Sequence, residues 1–126
     1  MTENELTYKI RGSIFTVYKN LGPGLLESVY EEALIYQLRK DGLRVISQLM
    51  VPICYDGKLL STHLKLDILV EDEVIIELKS VRELENVHHK QLLTYMRLAS
   101  KHIGFLVNFY TDDINNSIHR KILGYK

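Results

Sequence analysis

The chain has 126 residues, 46% apolar and 25% charged, the balance of one ordinary globular domain spanning 1–126 rather than of a disordered chain. Lys and Arg total 16 and Asp and Glu total 16, so no global basic excess pulls the protein toward phosphate, and any contact with nucleic acid must come from a local patch. Cys54 is the only cysteine, which excludes an intramolecular disulfide and a cysteine-based zinc site. The acidic, polar start Met1-Thr2-Glu3-Asn4-Glu5 is unlike a signal peptide, and no apolar run approaches the ~20 residues that span a bilayer. The expectation is a cytoplasmic protein with no membrane partner.

Leu6, Ile10, Ile14, Val17 and Leu21 recur at helical spacing and predict a first amphipathic helix. Gly22-Pro23-Gly24 breaks it, and a second helix is expected to begin near Pro23, which suits a helix start. Leu26, Val29, Tyr30, Ala33, Leu34 and Leu38 form its apolar side, with Glu31, Glu32, Arg39 and Lys40 outside, and Asp41-Gly42 ends it. The period then falls to two. Arg44 to Tyr55 reads as a strand, Asp56-Gly57 as a hairpin turn, and Lys58 to Ser61 as the return. Leu64 to Val70 and Val74 to Lys79 read as two further strands joined across Glu71-Asp72-Glu73. Asn86 to Ala99 is a helix, and the apolar run Ile103 to Tyr110 is a buried central strand. Ile114 to Leu123 fits either a short edge strand or a helix. The order describes an α/β or α+β domain, a mixed sheet flanked by helices.

Ionisable residues inside apolar strands are the informative anomaly. Leu66-Asp67-Ile68-Leu69-Val70 and Val74-Ile75-Ile76-Glu77-Leu78-Lys79 place Asp67, Glu77 and Lys79 where burial is costly unless charges pair or bind a cation. A three-residue loop over Glu71-Asp72-Glu73 sets Asp67 opposite Glu77 on one face, whereas a two-residue loop sends them to opposite faces. Two adjacent carboxylates repel, so the first arrangement makes sense mainly around a cation. Oxygen ligands suit Mg²⁺ or Mn²⁺, and Lys79 could orient a water or steady phosphate charge. The alternative is a structural salt-bridge cluster in the hairpin.

Asp67 followed by Glu77-Leu78-Lys79 resembles the D…ExK signature of the PD-(D/E)xK nuclease superfamily. Gly24-Leu25-Leu26-Glu27-Ser28-Val29-Tyr30 resembles the GxxExxY motif of a family of small prokaryotic proteins within it, and Leu21 to Glu27 and Gln91-Leu92-Leu93-Thr94-Tyr95 are also similar. The resemblance covers roughly Ile14 to Phe109 and implies a restriction-endonuclease-like fold. It implies Asp67 and Glu77 as metal ligands, Lys79 as the catalytic lysine, Glu27 as a helix-borne acid reaching the same site, and Gln91 as a further site residue. Where the family often has Arg-x-Asp, this chain has Lys65-Leu66-Asp67, which keeps the charge and loses the bidentate fork. Judged alone, Glu27 also fits a helix first turn, where an acid favours the dipole.

Arg82, His88, His89 and Lys90 follow the ExK strand and, with Lys79 and Lys65, could supply the missing phosphate contacts, although charge runs more often serve solvation. His63, His102 and His119 lie far apart in sequence and read as solvated. The leading expectation is a Mg²⁺- or Mn²⁺-dependent phosphodiesterase acting on DNA or RNA. Its rival is a non-catalytic nucleic-acid- or protein-binding module on the same fold. A homodimer is compatible with the sequence, though no residue marks it.

Overall fold

In the computed structural model, which describes residues 1–124, helix α1 spans Glu3–Leu21. It opens with a capping box: the Glu5 N–H donates to the Thr2 hydroxyl, and the Thr2 N–H donates to the Glu5 carboxylate. Leu6, Ile10, Ile14 and Val17 are buried on one stripe, as the spacing predicts. Helix α2, Glu27–Lys40, begins beyond Pro23 rather than near it. Gly22 and Gly24 take φ of 69° and 99°, a left-handed conformation that interrupts any helix between them. Leu26 precedes the helix and is exposed, and Val29 is partly so, which corrects their assignment to the apolar side. Tyr30, Leu34 and Leu38 keep that role.

Strands β1 (Val45–Tyr55) and β2 (Lys58–Val70) form a long antiparallel hairpin, so the expected returns Lys58 to Ser61 and Leu64 to Val70 are one strand. Strand β3 (Val74–Lys79) pairs antiparallel with β2. Helix α3 (Asn86–Leu98) then carries the chain over to β4 (Ile103–Asn108), which lies parallel to β3. The tail holds both candidate forms, a 3₁₀ turn at Ile114–Ser117 and strand β5 (Ile118–Ile122) antiparallel to β4. The five-stranded mixed sheet runs β1-β2-β3-β4-β5.

Two apolar layers sandwich the sheet. Helices α1 and α2 cover Ile68, Val70, Val74, Ile76, Leu78, Phe105 and Val107. Helix α3 covers Leu69, Ile75 and Leu106 through Leu92 and Met96. It sits so close that a Cβ added at Gly104 would lie 2.7 Å from Met96 Sδ. Period-two alternation in β3 and β4 explains the division: successive side chains feed opposite layers. Strand β2 breaks that rule at one place. Leu64 and Leu66 belong to the α3 layer, but Ile68 and Val70 belong to the other, so the strand changes face across Asp67.

Candidate active site

The turn between β2 and β3 sets the register. Glu71 and Asp72 both adopt left-handed φ, 52° and 57°, and the Glu73 N–H donates to the Val70 carbonyl at 2.9 Å. Val70 therefore faces Val74, followed by Leu69 with Ile75 and Ile68 with Ile76. The next row is Asp67 with Glu77, and here the ladder opens. Side chains replace the cross-strand carbonyls. The Asp67 N–H donates to Glu77 Oε2 at 3.0 Å, and the Leu78 N–H donates to Asp67 Oδ2 at 3.1 Å. Each carboxylate thus fills the gap left by the opposite strand, and the two meet.

The electrostatics of that meeting are unfavourable for the bare pair. Burial, then the Asp67 charge, push the Glu77 carboxyl up to about 8, only partly offset by the Asp67 N–H and by Lys79. Burial also raises Asp67, against the Leu78 N–H, Lys79 and Gln48. The ion pairs closer than 4 Å among the described residues, Arg44–Glu71, Lys101–Asp72 and those of Glu3 with His102 and Arg120, all lie outside the site. A structural salt bridge from Lys79 to Asp67 or Glu77 is therefore not what holds the hairpin. Lys79 stands near enough to lower Glu27, Asp67 and Glu77 together.

Glu27 reaches this group from the first turn of α2. Burial raises its carboxyl, Asp67 and Glu31 add to the rise, and Lys79 and His88 oppose it. The Gly24–Tyr30 segment explains how it gets there. Tyr30 is fully buried, stacks on Phe109 at 4.4 Å between centroids, donates its hydroxyl to the Gly22 carbonyl and accepts the Leu25 N–H. Ser80, just after β3, donates to the Leu25 carbonyl at 2.7 Å. The left-handed glycines turn the loop, Tyr30 clamps it to the core, and the helix then starts with Glu27 beside the end of β3.

Three further residues belong here that sequence reasoning missed. Glu31, assigned above to the solvated side of α2, lies one turn from Glu27 and has its carboxyl raised by burial and by Asp67. Gln48 donates from Nε2 to Glu31 Oε2 at 2.6 Å and stands near enough to Asp67 to lower its carboxyl. Its φ of 51° sits between the β1–β2 pairs Ser47–Ile68 and Leu49–Leu66, opposite the point where β2 changes face. Asn108, buried at the end of β4, holds the segment after Lys79 by accepting from the Val81 N–H and donating to the Val81 carbonyl. The four-residue spacing from Glu27 flags Glu31, and a polar residue ending an apolar run flags Asn108. Nothing in the sequence flags Gln48.

The remaining candidates scatter. His88 faces Glu27, while its Nδ1 accepts the Glu85 N–H at 2.9 Å. Gln91 gives its amide donor to the Tyr95 hydroxyl at 2.7 Å, so its first partner is one helical turn along and not the acids. Arg82 is exposed beside a groove of about 370 Å³ lined by Pro23, Gly24 and Tyr110. Lys65, on β2 opposite Met50, and Lys90 are exposed.

The donor set fits a hard divalent cation. Two close carboxylates on neighbouring strands, one of them buried, repel without a counter-charge and supply oxygens only, which suits Mg²⁺ or Mn²⁺ over zinc. Among the described residues no three of His, Cys, Asp and Glu are grouped to enclose an ion by themselves. Mg²⁺ does not require it, since it keeps several waters and is held by one or two carboxylates.

Comparison with known proteins agrees with this geometry. A family model described as the PD-(D/E)XK nuclease superfamily matches residues 4–121. No curated protein and no solved structure matches significantly. The chain belongs to the PD-(D/E)XK nuclease superfamily, whose nucleases generally use divalent metals.

Proposed function

From that membership we propose that the chain is a Mg²⁺- or Mn²⁺-dependent phosphodiesterase that hydrolyses DNA or RNA, with Asp67 and Glu77 holding the metal and Lys79 the catalytic lysine. The observation that carries this reading is the opened row at Asp67 and Glu77, where two half-buried or buried carboxylates meet and neither has an ion pair among the described residues. A bound divalent ion would polarise a phosphoryl oxygen and lower the pKa of a coordinated water. The protein's part is placement and charge. Lys79, near Glu27, Asp67 and Glu77, orients the attacking water or steadies charge on the phosphate. Glu27 lies close enough to Lys79 to take or hold a proton within the site, or to complete the acidic wall. Gln91 contributes only if it leaves Tyr95.

The substrate enters this reading as nucleic acid, gripped by Lys65, Arg82, His88 and Lys90. The chain acts as one cytoplasmic domain, and cutting both strands of a duplex calls for two copies of the site. A binding module on the same fold is favoured by one fact, the net charge of zero, which leaves little non-specific grip on phosphate. Cleavage of plasmid, single-stranded DNA and RNA with Mg²⁺ or Mn²⁺, wild type beside Lys79→Ala, separates the two. Metal-dependent cleavage lost in Lys79→Ala supports the nuclease. Binding without cleavage in either protein supports the module.

A further inference from the structure

Cross-strand pairing lines up a second set of side chains with the site. Glu77 of β3 pairs with Leu106 of β4, and Leu106 pairs with His119 of β5. Residues directly opposite one another share a face of the sheet, so His119 stands on the Glu77 face. Two strand spacings separate them, about 10 Å. Lys121, two residues on and paired with Gly104, shares that face. Leu106, Leu92 and Met96 share one apolar layer, so this is the face that α3 covers. From α3, His89 meets His119 edge to face, with ring centroids 5.0 Å apart.

The charges gathered there have one sign. Burial first, then Lys121, holds both imidazoles below the ordinary histidine range, and His119 and His88 add to the effect on His89. Among the described residues no carboxylate enters the balance of either ring. Three cations elsewhere are paired instead, Arg44 with Glu71, Lys101 with Asp72, and Arg120 with Glu3. A partly buried lysine flanked by two ring N–H donors attracts an anion, and on a chain of zero net charge it is a local basic spot of the sort phosphate binding would need. Lys121 supplies the charge, and each neutral imidazole still offers one ring N–H to a phosphate oxygen.

We propose that His119 and Lys121 of β5, with His89 of α3, form a phosphate subsite that holds a nucleic-acid strand beside the bond placed at Asp67 and Glu77. It rests on the nuclease reading, and it replaces scattered surface lysines with a cluster tied by register to the Glu77 row, the buried Leu106 lying between them under α3.

The test measures fluorescence anisotropy of a short labelled DNA duplex, its single strand and the matching RNA, titrated in EDTA across a range of salt. The parent is compared with His119→Gln/Lys121→Gln and with Lys121→Arg, thermal melts confirming the fold. Loss of one phosphate contact weakens binding of every probe alike and lowers the salt slope by about 1. Lys121→Arg keeps the parent's slope. Should the double variant fail to fold, Lys121→Gln alone is expected to show the same drop. Parent-like affinity and slope in the glutamine variants overturn the subsite, and so does a parent that binds no probe. Cleavage by the parent in Mn²⁺ is scored separately. Cleavage with an unchanged slope sinks only the subsite, whereas a lost slope without cleavage keeps the subsite and sinks the nuclease.

Discussion

Gln48 and Glu31 join β1 to α2 through a 2.6 Å hydrogen bond, made by a residue whose backbone is left-handed in the middle of a strand. That backbone costs on the order of 1–3 kcal/mol and persists only where its surroundings insist on it. Gln48 also lies close enough to Asp67 to lower its carboxyl, so it stands between two acids that would otherwise repel. Supports of this kind are typically worth about 10–100-fold in metal affinity. Gln48→Ala is expected to weaken Mn²⁺ binding by about tenfold in calorimetry while the melt of the apo protein stays near the parent's. Unchanged affinity would show that Gln48 does not position Asp67.

Asp67→Asn separates a metal site from a structural one by the sign of a single measurement. Held together for a cation and both charged above the raised Glu77 pKa of about 8, Asp67 and Glu77 store repulsion in the apo protein, and at that pH the variant should be as stable as the parent in EDTA, or slightly more so. Metal binding and cleavage should vanish with it. Were the carboxylate a partner in a buried salt bridge, the change would cost about 3–5 kcal/mol. Chemical denaturation in EDTA reads the sign directly, and a large loss with no metal response in the parent ends the nuclease reading.

The raised Glu77 carboxyl dictates a pH dependence. Its folded pKa of about 8 exceeds the ordinary glutamate value of 4.5, so the folded chain keeps a proton that the unfolded chain releases. Stability from this group is complete below the unfolded value and is lost as pH rises toward 8. Asp67, also raised, acts in the same sense. Glu5 and Glu71, held low by main-chain N–H groups of Thr2 and Arg44, act below that window. His89 and His119, held below the ordinary histidine range, act in the opposite sense at acid pH, so the apo protein should weaken from about pH 7 to about pH 9. Glu77→Gln should flatten the slope, and saturating Mn²⁺ should reverse it, because the metal binds deprotonated ligands. A parent whose apo stability rises across this range contradicts the assignment.

Tyr30→Phe tests the clamp on the loop before Glu27. The ring keeps its stack on Phe109, but the Leu25 N–H and the Gly22 carbonyl lose their partner. The expected cost is about 1–2 kcal/mol in chemical denaturation, with faster proteolysis near Gly24. Tyr30→Ala also empties a fully buried site and should cost about 3–5 kcal/mol. Parent-like stability in Tyr30→Phe would mean that the hydroxyl contributes nothing.

Gly104→Ala tests the seat of α3 on the sheet. The new methyl would meet Met96 Sδ at 2.7 Å and Leu92 Cδ1 at 3.0 Å. Met96 can swing aside, so the loss should fall within about 1–3 kcal/mol rather than abolish folding. Stability at or above the parent's would mean that the helix gives way freely.

Period and punctuation alone determined much of this protein. The stripe on α1, the Asp56-Gly57 turn, the continuous apolar run of β4 and the acids embedded in β2 and β3 are local signals, because backbone geometry repeats every 3.6 or every two residues. The count across Glu71-Asp72-Glu73 even left only two registers for Asp67 and Glu77, and left-handed backbone at Glu71 and Asp72 selected the one that brings them together. Tertiary structure decided the rest. Tyr30 reaching back to Gly22 moved the start of α2 to Glu27, and the change of face at Asp67 brought Glu31 and Gln48 into the site. His119 joined the row of Glu77 only through the pairing of β4 with β5 at the far end of the chain. Such proximities depend on which strands pair and how helices seat on them, and a linear pattern carries no record of contacts between residues so far apart.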